Sequence, residues 1–154
     1  MTCINAGVLG EHLPQFHLEK TTSADIEKTF DVMTDIMGMQ KLLPHRFPSI
    51  RLLSSRGNTS VAEEHRIVAG RELIMTTRHM VDRPHKHEIL VIGGDAKNSH
   101  IVELYESVGT GTRISLSVDF RLHGAMRIAG LFGPSGLERD FSKGMDDLVL
   151  AVKI

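Results

Sequence analysis

The 154-residue chain carries 18 Lys and Arg against 19 Asp and Glu, and its formal charge of −1 gives no electrostatic reason to bind nucleic acid or an anionic membrane. Its one cysteine, Cys3, excludes an internal disulfide framework and a cysteine-based zinc site. No apolar run reaches the roughly 18 residues of a membrane span, and residues 1–14 lack the basic start and apolar core of a signal peptide, so the expectation is a cytoplasmic protein with no integral membrane segment, folded as a single domain over 1–154.

Met1–Pro14 is weakly patterned, a tail or an irregular strand. Gln15–Lys20 alternates, with Phe16 and Leu18 on one side, and reads as a first strand. Thr21, Thr22 and Ser23 are helix-starting residues, and Ile26, Phe30, Met33 and Met37 then recur at three- and four-residue spacing. That spacing predicts an amphipathic helix over Ala24–Ile36, interrupted by Gly38. A short second helix over Met39–Leu43 is stopped by Pro44 and Pro48.

Strands follow. Ile50–Ser55, Ser60–Val68, Glu72–Val81, His87–Ile92, His100–Glu106 and Thr112–Leu122 are separated by Gly-, Asn- and Pro-bearing turns. The last has the clearest pattern, with Thr112, Ile114, Leu116, Val118, Phe120 and Leu122 on one face and Arg113, Ser115, Ser117, Asp119 and Arg121 on the other. A period of two over such a length makes a strand with one dry face and one wet face. Gly124–Gly133 is either a loop or partly helical. Pro134 and Ser135 stand where a helix starts, and Leu137, Phe141, Met145, Leu148 and Val152 line one face of it. Consecutive strands joined by short turns imply an antiparallel meander rather than a doubly wound parallel sheet. The dry face needs a cover, which the last helix can supply. A curved sheet gripping one helix leaves room for a hollow between them.

The order of elements and several strings resemble the START-like, Bet v 1-like helix-grip superfamily, closest to its polyketide cyclase/dehydrase and coenzyme Q-binding group. The strings are Ala24–Asp35, Leu42-Leu43-Pro44, Gly111-Thr112-Arg113-Ile114 with its strand, and the closing helix. The resemblance covers about Gln15 to Ile154 and implies an α+β helix-grip fold. In it, a curved antiparallel sheet of about seven strands (β-α-α-β6-α) wraps a long C-terminal helix, and two short helices follow strand one. Family members often carry Trp and other aromatics on the second short helix. This chain has no Trp and offers Met37, Met39 and Leu42 there, which favours a flexible aliphatic pocket.

No nucleophile elbow, phosphate loop, dinucleotide fingerprint or His-Glu-x-x-His string occurs, and no cofactor is called for. Gly109-Thr110-Gly111 is a hairpin turn. Nine histidines raise the question of a metal. The tightest group, His85-Lys86-His87, sits in a turn beside Pro84, with no third ligand fixed by spacing, and reads as exposed. His12, His17 and His100 have no partner that the sequence reveals, and His45 reads as a solvated loop residue.

With the register that the resemblance implies, Met75, Thr77, His79 and Val81 share the concave face, together with Ile101, Glu103 and Tyr105 and with Ile114, Leu116 and Val118. On Ser60–Val68, either Val61, Glu63, His65 and Ile67 face in, or Ala62, Glu64, Arg66 and Val68 do. The first set is the more apolar. An inward Glu103 must pair with His79, His65, Arg66 or Tyr105, or hold a polar ligand group. The alternative is a bulge that turns it outward. Arg46, Arg51 and Arg56 read as solvated, with a ligand phosphate on Arg46 as the alternative.

The leading expectation is a binding protein for a small hydrophobic molecule: a lipid, an isoprenoid quinone or a polyketide-like compound. It would enter near the second helix, Pro44–Pro48 and Gly124–Gly133. Expected contacts are Met33, Met37, Leu42, Met75, Thr77, His79, Glu103, Tyr105, Leu116, Val118, Phe120, Leu137, Phe141, Met145 and Leu148. A second reading is a cyclase or dehydratase using Glu103, His79 and Tyr105 on a bound carbonyl compound. A third is a non-catalytic interaction module, such as a homodimer, its hollow filled by side chains.

Overall fold

A computed structural model describes residues 15–123 and 134–153. The segments 1–14, with Cys3 and His12, and 124–133, with Met126 and part of the expected ligand entrance, lie outside the described residues.

Seven strands form one antiparallel sheet: β1 (Gln15–Thr22), β2 (Ser49–Arg56), β3 (Thr59–Val68), β4 (Arg71–Asp82), β5 (Lys86–Gly94), β6 (His100–Val108) and β7 (Gly111–Asp119). Their spatial order is β1-β7-β6-β5-β4-β3-β2. The strands from β2 to β7 make a meander, and β1 pairs with the far edge of β7 along its whole length, Phe16 opposite Val118 and Leu18 opposite Leu116. Every expected strand is present and most run one or two residues longer. The exception is β7, which ends at Asp119. Phe120 nonetheless continues the buried face, and the Arg121 backbone N–H donates to Ser99 Oγ at 2.7 Å.

The helices are α1 (Ile26–Thr34), α2 (Ile36–Leu42) and α3 (Pro134–Val152). The break between the first two falls at Asp35, not at the expected Gly38. Asp35 caps α2, its Oδ1 accepting from the Gly38 N–H at 2.9 Å, as Asp25 caps α1 through Lys28 N–H at 2.9 Å. Glycine is required at 38 for another reason. A Cβ there would stand 2.2 Å from Asp35 Oδ2, so the cap itself excludes a side chain.

α3 packs across the concave face against β1, β3 and α1. Phe141 of α3 meets Phe16 of β1 and Phe120 edge-on, with ring centroids 5.4 and 5.7 Å apart. The main core joins Phe30 and Met33 of α1, Leu137, Phe141 and Met145 of α3, and the inward residues of β4 to β7. Full burial of each such side chain is worth about 1.5–3 kcal/mol. A second cluster of Met39, Leu43, Phe47, Ile50 and Ala62 lies under α2 and β2. Where the two clusters meet, packing is incomplete, and the hollow is there.

Candidate functional site

Two adjoining cavities lie between α3, the α1–α2 corner and the concave face, with volumes of about 50 and 70 Å³. Met33, Phe47, Arg66, Ile89, Glu103 and Leu148 line both. The first extends along α3 past Leu116, Phe141, Gly144 and Met145, and the second runs under α2 to Ile36, Met39 and Ile50 and to the polar groups Glu64, His79 and His87.

The polar floor is a row of side chains on neighbouring strands. Strand pairing places Ala62 opposite Thr77, Glu64 opposite Met75 and His87 opposite Glu103, so that alternate residues of β3 to β6 face the hollow together. Glu64 Oε1 shares a 2.7 Å hydrogen bond with His79 Nε2, His79 Nδ1 one of 3.0 Å with His87 Nε2, and His87 Nδ1 one of 3.0 Å with Glu103 Oε2. Hydroxyl groups close both ends. Thr77 Oγ1 donates to Glu64 Oε1 at 2.9 Å, and the Tyr105 hydroxyl donates to Glu103 Oε2. The two imidazole rings meet end to end through that bond, 23° from coplanar with centroids 5.2 Å apart.

Burial alone pushes both carboxyls up. For Glu64 the hydrogen bond and charge of His79, with the Thr77 hydroxyl, outweigh it and hold the pKa below the usual 4.5. For Glu103 the charge and hydrogen bond of His87, with the Tyr105 hydroxyl, do the same. Tyr105 is held well above 10 by burial and by the Glu103 carboxylate, so it remains a hydrogen-bond donor.

Two arginines face the space. The Arg66 guanidinium lies over the rings of Phe47 and Phe141, at 5.2 and 4.6 Å from their centroids. Among the described residues no hydrogen bond or ion pair engages it, and burial lowers its pKa below the ordinary arginine value, a shift that the charges of Glu64, Asp140 and Glu103 partly offset. Arg46 is committed instead. It bonds Asp147 Oδ2 at 3.1 Å and Asp140 Oδ1 at 3.4 Å, tying the turn after α2 to α3. Gly144 leaves room for that guanidinium, since a Cβ there would lie 3.4 Å from its Nη1. The expectation of a solvated Arg46 is therefore wrong, and its donors already serve two carboxylates.

Of the expected contacts, Met33, His79, Glu103, Leu116, Phe141, Met145 and Leu148 line the cavities. Thr77 and Tyr105 are buried one bond behind the floor. Met75, Val118, Phe120 and Leu137 are packed in the core and do not line the hollow. Met37 and Leu42 point outward, each 43% exposed, because α2 buries Met39 instead. Glu103 faces inward with no bulge in β6, and of its four expected partners it bonds only Tyr105. His65 lies on the outer face with Glu72 at 3.0 Å. On β3 the less apolar set, Ala62, Glu64, Arg66 and Val68, turns in. His87, expected in an exposed turn, is 3% exposed and central to the row. His45, as expected, is largely exposed. Sequence reasoning missed Phe47 and Ile89, and it held Arg66 only as an alternative inward residue and partner of Glu103. The signal that could have placed Arg66 is the charged alternation Glu64-x-Arg66 set against His79 and His87 on adjacent strands.

Among the described residues no group of three or more His, Cys, Asp or Glu is placed to hold a metal ion, and no helix is long and apolar enough to cross a membrane.

No protein-family model matches the sequence, and no curated protein matches it. Solved structures do. The chain is similar to the Zhui aromatase/cyclase from Streptomyces sp. R1128 with a TM-score of 0.77 and 16% identity, over 92% of this chain and 94% of that one. A START superfamily protein from Mycobacterium smegmatis superposes with a TM-score of 0.71 at 13% identity, over 90% and 93% of the two chains. Ginseng major latex-like protein 151 from Panax ginseng gives 0.69 at 12%, over 89% and 95%. With its seven-stranded antiparallel sheet and C-terminal helix, the chain has the helix-grip α+β fold that these structures share.

Proposed function

We propose that the protein binds a small hydrophobic molecule in the hollow between the concave sheet and α3, a lipid, isoprenoid quinone or polyketide-like compound being the class that suits it. The observation that carries this reading is an apolar hollow holding a guanidinium, Arg66, whose donors are unspent among the described residues. The cavities fall below the 300–1,000 Å³ range typical of ligand sites. They share a wall that includes Met33, whose unbranched side chain changes shape readily. A guest the size of one ring, burying about 150–200 Å², gains about 4–5 kcal/mol before ordering costs. Before those costs are subtracted, the gain sets a floor on the dissociation constant of hundreds of micromolar to about a millimolar.

The test is saturable binding of an environment-sensitive apolar dye and its competition by a long-chain lipid, with Met33→Trp, which fills both cavities, as the blocked control. Dye binding that does not saturate, or that survives the filled cavity unchanged, rejects the reading.

A second reading, a cyclase or dehydratase moving protons on a bound carbonyl compound, is supported by a different observation. The carboxylate–imidazole row reaches the cavity wall at His79, His87 and Glu103, with Tyr105 behind it. The aromatase/cyclase among the similar structures points the same way. Here the protein would speed exchange of the α-protons of acetophenone in heavy water, and Glu103→Gln would abolish that exchange while retaining dye binding. Exchange at the solvent rate, or equal exchange in the variant, rejects this reading.

A further inference from the structure

Resting on the reading of the hollow as a binding cavity, we infer that the polar group of its guest is an uncharged acceptor, a carbonyl of the ketone, quinone or amide kind, and that the hollow rejects the matching carboxylate.

The inference comes from counting charge. Glu64, His79, His87 and Glu103 are joined in that order by three hydrogen bonds of 2.7, 3.0 and 3.0 Å. Each bond holds one proton, so the row contains three, whichever atom each proton sits on. Two carboxylates and two imidazolates carry four negative charges, and three protons leave the row with a net charge of −1. The hydroxyls of Thr77 and Tyr105 keep their own protons and change nothing. Arg66, a cation under all ordinary conditions, balances the row. Its charge is therefore spent and its hydrogen bonds are not.

The other cation at this wall, Arg46, adds no free positive charge, since it is paired with Asp140 and Asp147 of α3. A carboxylate guest would bring another negative charge into a poorly solvated site already lined by Glu103 and Glu64, at a cost that Arg66, shared between them, does not recover. A neutral carbonyl oxygen takes the N–H donors of Arg66, which are unspent among the described residues, and leaves the charge balance intact.

Three probes of one shape separate the terms: ethylbenzene has no acceptor, acetophenone has a neutral one and benzoate an anionic one. Binding to the full-length protein at pH 7.5, read by ligand-observed NMR, should favour acetophenone over benzoate at least tenfold. Arg66→Met should lower the acetophenone-to-ethylbenzene affinity ratio about tenfold, the worth of one hydrogen bond to a charged donor. Glu103→Gln removes one negative charge and should raise the benzoate-to-acetophenone affinity ratio about tenfold. This variant decides the matter even if Arg66→Met does not fold. Benzoate binding as tightly as acetophenone to the wild-type protein overturns the inference and leaves the cavity reading standing. Failure of all three probes to bind overturns both.

Discussion

Replacing His87 with Phe tests the polar floor without ligand. The new ring takes the place of the imidazole beside His79 and carries neither nitrogen. Two buried groups lose a partner: His79 Nδ1 and the Glu103 carboxylate, which retains only the Tyr105 hydroxyl. An unsatisfied buried group costs about 1–3 kcal/mol, more if charged, so the expected loss is about 3–5 kcal/mol. For a chain of this size each kcal/mol shifts Tm by about 2–4 °C, which predicts a fall of about 6–20 °C at pH 7 by circular dichroism. The pH trend supplies a second readout. Without the imidazole, burial dominates at Glu103 and raises its pKa, so the folded variant gains a proton on acidification that the unfolded chain does not yet take up. The gap to wild type should narrow between pH 7 and pH 5. A variant within about 1 kcal/mol of wild type, with no such narrowing, refutes the buried row.

Three further outcomes are expected. Glu64 and Glu103 bind protons less tightly in the folded protein than at the ordinary 4.5, so their stabilisation is full above about that pH and is lost below it, as the pH falls towards and through their lowered folded-state values. The urea midpoint should drop steeply there, and a midpoint that rises on acidification contradicts the assignment. Gly38→Ala should cost about 1–2 kcal/mol by expelling the Asp35 cap, and adding Asp35→Ala should cost little more, whereas additive losses would separate the two residues. Arg46→Ala leaves Asp140 and Asp147 without their shared cation and should cost about 2–3 kcal/mol in urea unfolding, with a value near zero marking the pairs as incidental.

Much of the fold could be read from side-chain periodicity. The alternation from Thr112 to Phe120 gave β7 its buried face, and the inward set Met75, Thr77 and His79 on β4 followed from the same rule. The site was less legible, because its logic crosses strands. On β3 a rule that buries the more apolar set picks Val61, Glu63, His65 and Ile67. The chain instead buries Glu64 and Arg66, which have compensating charges waiting on β4, β5 and β6. Nothing local to β3 states this. His87 was hidden by proximity to Pro84, since the strand begins at Lys86, one residue earlier than the turn signal suggests. The helix break was misplaced because Gly38 looks like an interruption, while the stop is made by an aspartate capping the next helix.

The neutrality of the hollow belongs to no single position. Glu64, Arg66, His79, His87 and Glu103 sit on four different strands, yet each has an ionic state that makes sense only beside the others. Drift at one of them is therefore harmful until a second changes to match. Over evolutionary time these five positions should be exchanged as a set, with lineages holding either the whole constellation or an all-aliphatic substitute, and few holding fragments of it.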